Sequence, residues 1–218
     1  MREAALGVRV HSGWAAMVAV ALEKDEPVVL SRERPHLVKV FNYSYRQPYH
    51  TAEKMPLEEA RAFLSQVRAE ARSLAYDALG RMSARLQEAG CRLSRCALLL
   101  ASGRELPELE RILASHALIH TADGELFRES ILYASEKCGH GVLAVREREL
   151  LGRAAKALRR KEAALLRRAT EVGREMGAPW SQDEKFAMLA AWLALAARNN
   201  RNGGSPRSGP YETRKMAA

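Results

Sequence analysis

Near its start the chain alternates apolar and polar residues with a period of two. Val8 and Val10 are interleaved with Arg9 and His11, Ser12-Gly13 punctuates, and Ala16, Val18, Val20 and Leu22 continue the pattern, as half-buried strands require. Lys24-Asp25-Glu26-Pro27 has turn composition, and Val28-Val29-Leu30 begins the next strand. Leu37 to Tyr45 offers a third, from the β-formers Val38, Val40, Phe41, Tyr43 and Tyr45. Successive strands joined by such short connections predict an antiparallel meander over residues 4–50.

The period then changes. Leu57, Ala60, Leu64, Val67, Ala71, Leu74 and Ala78 recur at steps of three and four, and Met82 and Leu86 extend the stripe. The spacing predicts one amphipathic helix from Pro56 to Ala89. Pro56 suits its first position, Glu58 and Glu59 its positive end, and Gly90 its stop. Cys96 to Ala101 is apolar on both faces, the mark of a strand inside a parallel sheet. Ser102-Gly103-Arg104-Glu105 has capping-box form before a helix near Pro107–Ser115. A break at Thr121–Gly124, a helix at Glu125–Lys137, a turn at Cys138–Gly141 and a second buried strand at Val142–Val145 complete this part. Strands alternating with helices after a meander predict an α/β domain over residues 1–150, a mixed five-stranded sheet flanked by helices.

Beyond Leu150 the pattern is helical only. One helix is predicted over 151–176, ended by Gly177-Ala178-Pro179. Ser181-Gln182-Asp183-Glu184 is a second capping box, opening a helix whose stripe is Phe186, Leu189, Ala190, Leu193 and Ala197. Residues 151–197 thus read as a helical hairpin packed on the domain. Residues 198–218 are polar, basic and Gly/Pro-containing, the composition of a disordered tail.

Charge adds a possible partner. With 35 Lys and Arg against 26 Asp and Glu the net charge is +9, a field that draws polyanions such as RNA or DNA. Three cysteines in no framework spacing, Cys91, Cys96 and Cys138, suit a reducing, cytoplasmic setting. Arg9 and His11 interrupt any signal-peptide core, so the apolar run from Trp14 to Leu22 reads as a strand. The run Phe186–Ala197 is too short to span a bilayer, so no membrane role is expected.

Three strands, helix, strand, helix, strand, helix is the element order of the ribonuclease H-like superfamily. Gly7-Val8-Arg9-Val10-His11-Ser12-Gly13-Trp14 is similar to the first strand and turn of its Holliday-junction-resolvase-type members, which open with Gly-hydrophobic-Asp and carry Gly-Trp where strand two begins. The resemblance covers roughly residues 4–160 and implies the fold. It also implies a two-metal phosphodiester site whose strand-one Asp falls at Arg9 and whose strand-four acid meets Ala101-Ser102. Only the last acid position is filled, by Glu147 or Glu149. Two-metal chemistry needs several carboxylates, so the implied nuclease site is expected not to work.

The chemistry-bearing stretch is Ser115 to Glu129. His116 and His120, four apart, can share a helix face and bind a transition metal, with Asp123, Glu125 or Glu129 completing the shell. The glutamate that marks the metalloprotease helix is missing. Alternatively both histidines are structural, or His120, Glu125 and Arg128 form a polar site for an anionic ligand and are the candidate catalytic residues. Cys138-Gly139-His140 either contributes to such a site or is a helix C-terminus. No phosphate-binding glycine loop is present. On a continuous helix Arg160, Lys161, Arg167 and Arg168 would lie on about one face, a stripe able to track phosphates. Tyr43, Tyr45 and Tyr49, interleaved with Arg46 and His50, could add stacking. Two functions follow. One is a non-catalytic ribonuclease H-like module that binds nucleic acid, ribonucleoprotein or a protein partner through its basic helices. The other is a divergent hydrolase, metal-dependent or not, centred on His116, His120 and Glu125. Cofactor identity is not encoded in any motif.

Overall fold

The computed structural model describes residues 1–101 and 105–199. Five strands form one mixed sheet: β1 (Arg2–His11), β2 (Trp14–Glu23), β3 (Glu26–Glu33), β4 (Cys91–Leu100) and β5 (Gly141–Arg146), in the order β3-β2-β1-β4-β5. The first three pair antiparallel, joined by tight turns at Gly13 (φ 81°) and Lys24-Asp25. β4 and β5 join in parallel beside β1, their crossovers made by helices. The helices are α1 (Tyr43–Arg46), α2 (Pro48–Ala52), α3 (Leu57–Glu88), α4 (Leu109–Leu113), α5 (His116–Lys137), α6 (Leu150–Leu158), α7 (Glu162–Met176) and α8 (Gln182–Asn199).

Strand alternation divides the interior into two cores. Ala4, Leu6, Val8 and Val10 of β1 point with Cys96 and Leu98 of β4 toward the stripe of α3 (Leu64, Val67, Ala71, Met82) and the inner face of α5. Ala5 of β1, Val18 and Val20 of β2, and Ala97 and Leu99 of β4 face the other way, onto α8, which α6 and α7 cover. Gly7 lies on this second face, where a Cβ would stand 1.7 Å from the carbonyl oxygen of Ala187. Glycine is required because α8 runs directly on the backbone of β1. Cys91 and Cys96 act as small core hydrophobes, and burial pushes the Cys96 thiol up to about 12. The second capping box forms: Ser181 N–H donates to Glu184 Oε2 at 2.8 Å and Asp183 N–H to Ser181 Oγ at 3.1 Å.

Three expectations are corrected. Residues 37–45 are not a strand. Asn42 caps a helical turn by accepting from Tyr45 N–H at 3.1 Å, and Leu37 and Val38 drop into the core while Val40 and Phe41 face outward. Local side-chain bonding and Pro48 outweigh the β-propensity of the segment. The break at Thr121–Gly124 does not exist, because α5 runs through it. Its helix-unfavourable glycine costs about 1 kcal/mol, less than the burial of Ile119, Ala122, Leu126 and Phe127 provides. The single helix over 151–176 is two, since Arg159 turns left-handed (φ 54°) and lets α6 and α7 both pack on α8. Ser102 to Arg104 of the first capping box and the tail, apart from its first two helical residues, lie outside the described residues. Among the described residues no helix is long and apolar enough to cross a membrane.

Candidate metal centre

Both crossover helices of a parallel sheet begin at the carboxyl ends of its strands, the edge where such folds gather their chemistry. Here α5 begins at that edge with His116, and the short helix α2 packs against it. His116 and His120 stand on consecutive turns, their Nε2 atoms 3.0 Å apart. His50 of α2 closes the group, with ring centroids 4.4 Å from His120 and 5.4 Å from His116. One ligand nitrogen from each of the three lies within 4.8 Å of the others.

Asp123 fixes this arrangement from behind. Its Oδ1 accepts from Tyr49 N–H at 2.7 Å and its Oδ2 meets His50 Nδ1 at 2.5 Å. The first bond satisfies a donor of the opening turn of α2 that has no partner within the helix. The second places the His50 proton on Nδ1 and leaves Nε2 as the nitrogen that can bind a metal. Burial raises the Asp123 carboxyl above its ordinary range, against the bonds from His50 and Tyr49. Two imidazole lone pairs 3.0 Å apart repel unless a proton or cation lies between them. Tetrahedral zinc would hold its nitrogens at about 3.3 Å, from a Zn–N distance of ~2.05 Å.

The residues singled out in the sequence thus have different places. His116 and His120 converge. Asp123 stands behind His50 and outside the ligand group. Glu125 is buried and pairs with Arg128, Oε1 lying 3.1 Å from Nε and 3.0 Å from Nη2. His140 is at the far end of α5, roughly 30 Å away by helix rise, where it meets Ser83 Oγ at 3.2 Å; burial lowers its pKa. The sequence pattern places His50 only in a stacking surface. No spacing rule could pair it with a helix 73 positions along the chain, counted to Asp123. Exposed Tyr43 stands edge-on to it, centroids 6.5 Å apart. A cavity of about 350 Å³, lined by Tyr49, Arg61, Arg68 and Glu129, includes none of the three histidines.

A second polar cluster lies at the same sheet edge on the α8 side. Arg9, at the position where the resemblance puts an acid, binds Glu147 through Nε (3.0 Å) and Nη2 (2.7 Å) and Asp183 through Nη1. Asp183 also meets His11 Nε2 at 2.8 Å. Against the burial that would raise it, His11 and Arg9 hold Asp183 below the usual carboxylate range. A guanidinium bridging both acids does not fit a divalent cation there. Glu149 pairs with Arg146 instead.

The four basic residues do not share one helix face. Arg160 and Lys161 occupy the break between α6 and α7. Arg160 pairs with Glu26 and stacks over Trp192 at 5.1 Å, and Arg168 pairs with Glu26 at 3.3 Å and Glu175 at 3.2 Å. Lys161 and Arg167 are exposed.

No protein-family model matches the chain, and no curated protein does. Solved structures do. Thermus thermophilus RuvC in complex with Holliday junction substrate superposes with a TM-score of 0.52 at 14% identity, covering 94% of this chain and 99% of that one. A second structure of the same RuvC gives 0.52 at 12% identity, over 90% and 96%. Strand order β3-β2-β1-β4-β5 and this superposition agree: the chain has the ribonuclease H-like fold of RuvC.

Proposed function

We propose that the chain is a hydrolase built on a ribonuclease H-like fold, with His50, His116 and His120 as the ligands of one divalent transition metal. The observation that carries this is the convergence of three imidazoles backed by Asp123 on the far nitrogen of one of them. Three neutral nitrogens suit zinc, and three protein ligands leave a fourth position for water or substrate, as catalytic rather than structural zinc sites do. Such a metal acidifies bound water and polarises a substrate oxygen. The chain's own part is to hold three rings in register, with α5 supplying two and Asp123 orienting the third. The test is zinc titration of chelator-stripped protein by calorimetry. One equivalent should bind with sub-micromolar affinity (order of magnitude, ~10⁻⁷ M or tighter). His50→Ala, His116→Ala and His120→Ala should each weaken it roughly a hundredfold or more while the far-UV spectrum is kept. Wild-type protein that takes up no zinc, or a folded triple variant that still does, overturns the reading.

A second reading keeps the fold and dispenses with catalysis, making the chain a module that binds nucleic acid, ribonucleoprotein or a protein partner through α6 and α7. Its support is the net charge of +9 and the likeness to a RuvC structure that holds a Holliday junction. Arg160 and Arg168 are engaged within the chain, so exposed Lys161 and Arg167 would carry more of the contact than the other two of the four.

A further inference from the structure

One cation beside the histidines has no part in holding a metal, and helix geometry fixes its position. His116, His120, Gly124 and Arg128 are spaced by four along α5 and so form one line on its surface. The Arg128 side chain folds back along that line. A Cβ at Gly124 would lie 2.6 Å from Nη2 and 3.2 Å from Nη1 of Arg128, so the guanidinium rests over residue 124, one helical turn along from His120. Any side chain at 124 would push it off. Glu125 holds the Nε and Nη2 edge in place, with Arg128 and Glu125 only 12% and 10% exposed, so the pair is little screened by solvent. Nη1 has no hydrogen-bond partner among the described residues and is not a buried orphan. It is a donor that reaches solvent without an acceptor among the described residues.

We propose that Arg128 is the oxyanion-binding residue of the histidine centre, and that the substrate is a small molecule or ester bearing a phosphoryl or carboxylate group. This rests on the metal reading above. One oxygen of the anion would lie at the metal and another on Arg128 Nη1. A divalent cation and Arg128 together outweigh Asp123 and Glu125 by one positive charge, so the centre favours an anion over a neutral ligand. Nη1 of Arg128 donates in the fixed plane of a guanidinium that stays charged at any ordinary pH, so it can make one charge-assisted hydrogen bond to a carboxylate or phosphoryl oxygen.

The test uses the full chain loaded with cobalt(II), whose visible spectrum reports on the ligand sphere, titrated with inorganic phosphate and separately with acetate. Phosphate, acetate or both should perturb the spectrum saturably, the tighter anion identifying the group the site takes. Arg128→Gln should weaken that anion roughly tenfold or more, as loss of a charge-assisted hydrogen bond does, with cobalt affinity held within about threefold of wild type. Arg128→Lys should recover part of the loss. If Glu125 without its partner unfolds the single variant, the double change Glu125→Gln and Arg128→Gln removes both charges and should show the same anion loss. Cobalt binding with no anion effect, or anion affinity unchanged in a folded Arg128 variant, overturns this inference and leaves the metal reading standing. A protein that binds no cobalt or zinc removes both.

Discussion

Asp123 answers two needs at once, the donor of a helix end and the tautomer of a ligand, and a single atom exchange separates them. In Asp123→Asn the amide oxygen can still accept from Tyr49 N–H, but the amide nitrogen donates to His50 Nδ1 and drives the imidazole proton onto Nε2. Zinc affinity should fall roughly 10–100-fold with little loss of stability, the usual cost of removing an outer partner of a metal-bound histidine. Calorimetry beside a urea melt measures both, and undiminished zinc affinity would refute the role. Glu184 offers a residue-scale test of the α8 cap. Burial would raise its carboxyl, but bonds from Arg34 and from Ser181 outweigh this and hold it at about 2, below its ordinary 4.5. A depressed folded pKa means stability that is present above about 4.5 and lost as pH falls toward 2. Glu184→Gln should therefore cost on the order of 2 kcal/mol at pH 7, and its urea midpoint should converge with wild type by pH 2. A gap that persists unchanged at pH 2 would assign the loss to packing.

Among the elements, those governed by a long apolar period are the legible ones. α3 is found within a residue of its predicted ends, because nine of its side chains repeat on one buried stripe. Strand alternation likewise gives the opening strands of the meander, and runs apolar on both faces give the two parallel strands. The misread segments are those where a few specific bonds decide. Asn42 turns 43–46 into a helix despite its tyrosines. The break at Arg159 leaves no trace in the pattern because Ala154 and Leu165, both buried, remain in helical phase across it. Two of the three histidines of the candidate centre were legible for the same reason: His116 and His120 sit at helical spacing, whereas His50 comes from an element the sequence pattern did not reveal. The seating of α8 on β1 gives an element-scale prediction. Gly7→Ala forces a methyl into the Ala187 carbonyl. It should destabilise the protein by about 3 kcal/mol or more. A chemical denaturation midpoint close to wild type would contradict that packing.

For the molecule as a whole, charge is the property to test. If the basic helices contact phosphates, changing Lys161 and Arg167 to Gln should weaken binding to unrelated sequences about equally and lower the salt slope by roughly one per contact. Adding Arg160→Gln and Arg168→Gln should alter the slope less, since both already pair with Glu26. Affinity for RNA and DNA across salt measures it, and equal slopes in wild type and the folded quadruple variant would reduce the basic run to a solvated surface. The Arg9 bridge predicts further that Mg²⁺ or Mn²⁺ supports no cleavage of junctions, hybrids or single strands. Robust cleavage that is lost in Glu147→Ala would contradict it.

The order in which the sheet is covered has a consequence for synthesis. On the ribosome β1 emerges before the other described elements, yet the helix that seals one of its faces, through Ala187 against Gly7 and the buried run from Ala187 to Leu195, is made after all of them. Until then an apolar sheet surface is open to other nascent chains, and closing it demands a contact between residues far apart in sequence, which slows folding. A ribosome stalled before α8 clears the exit tunnel should carry a protease-sensitive, chaperone-bound chain that becomes resistant once that helix is free.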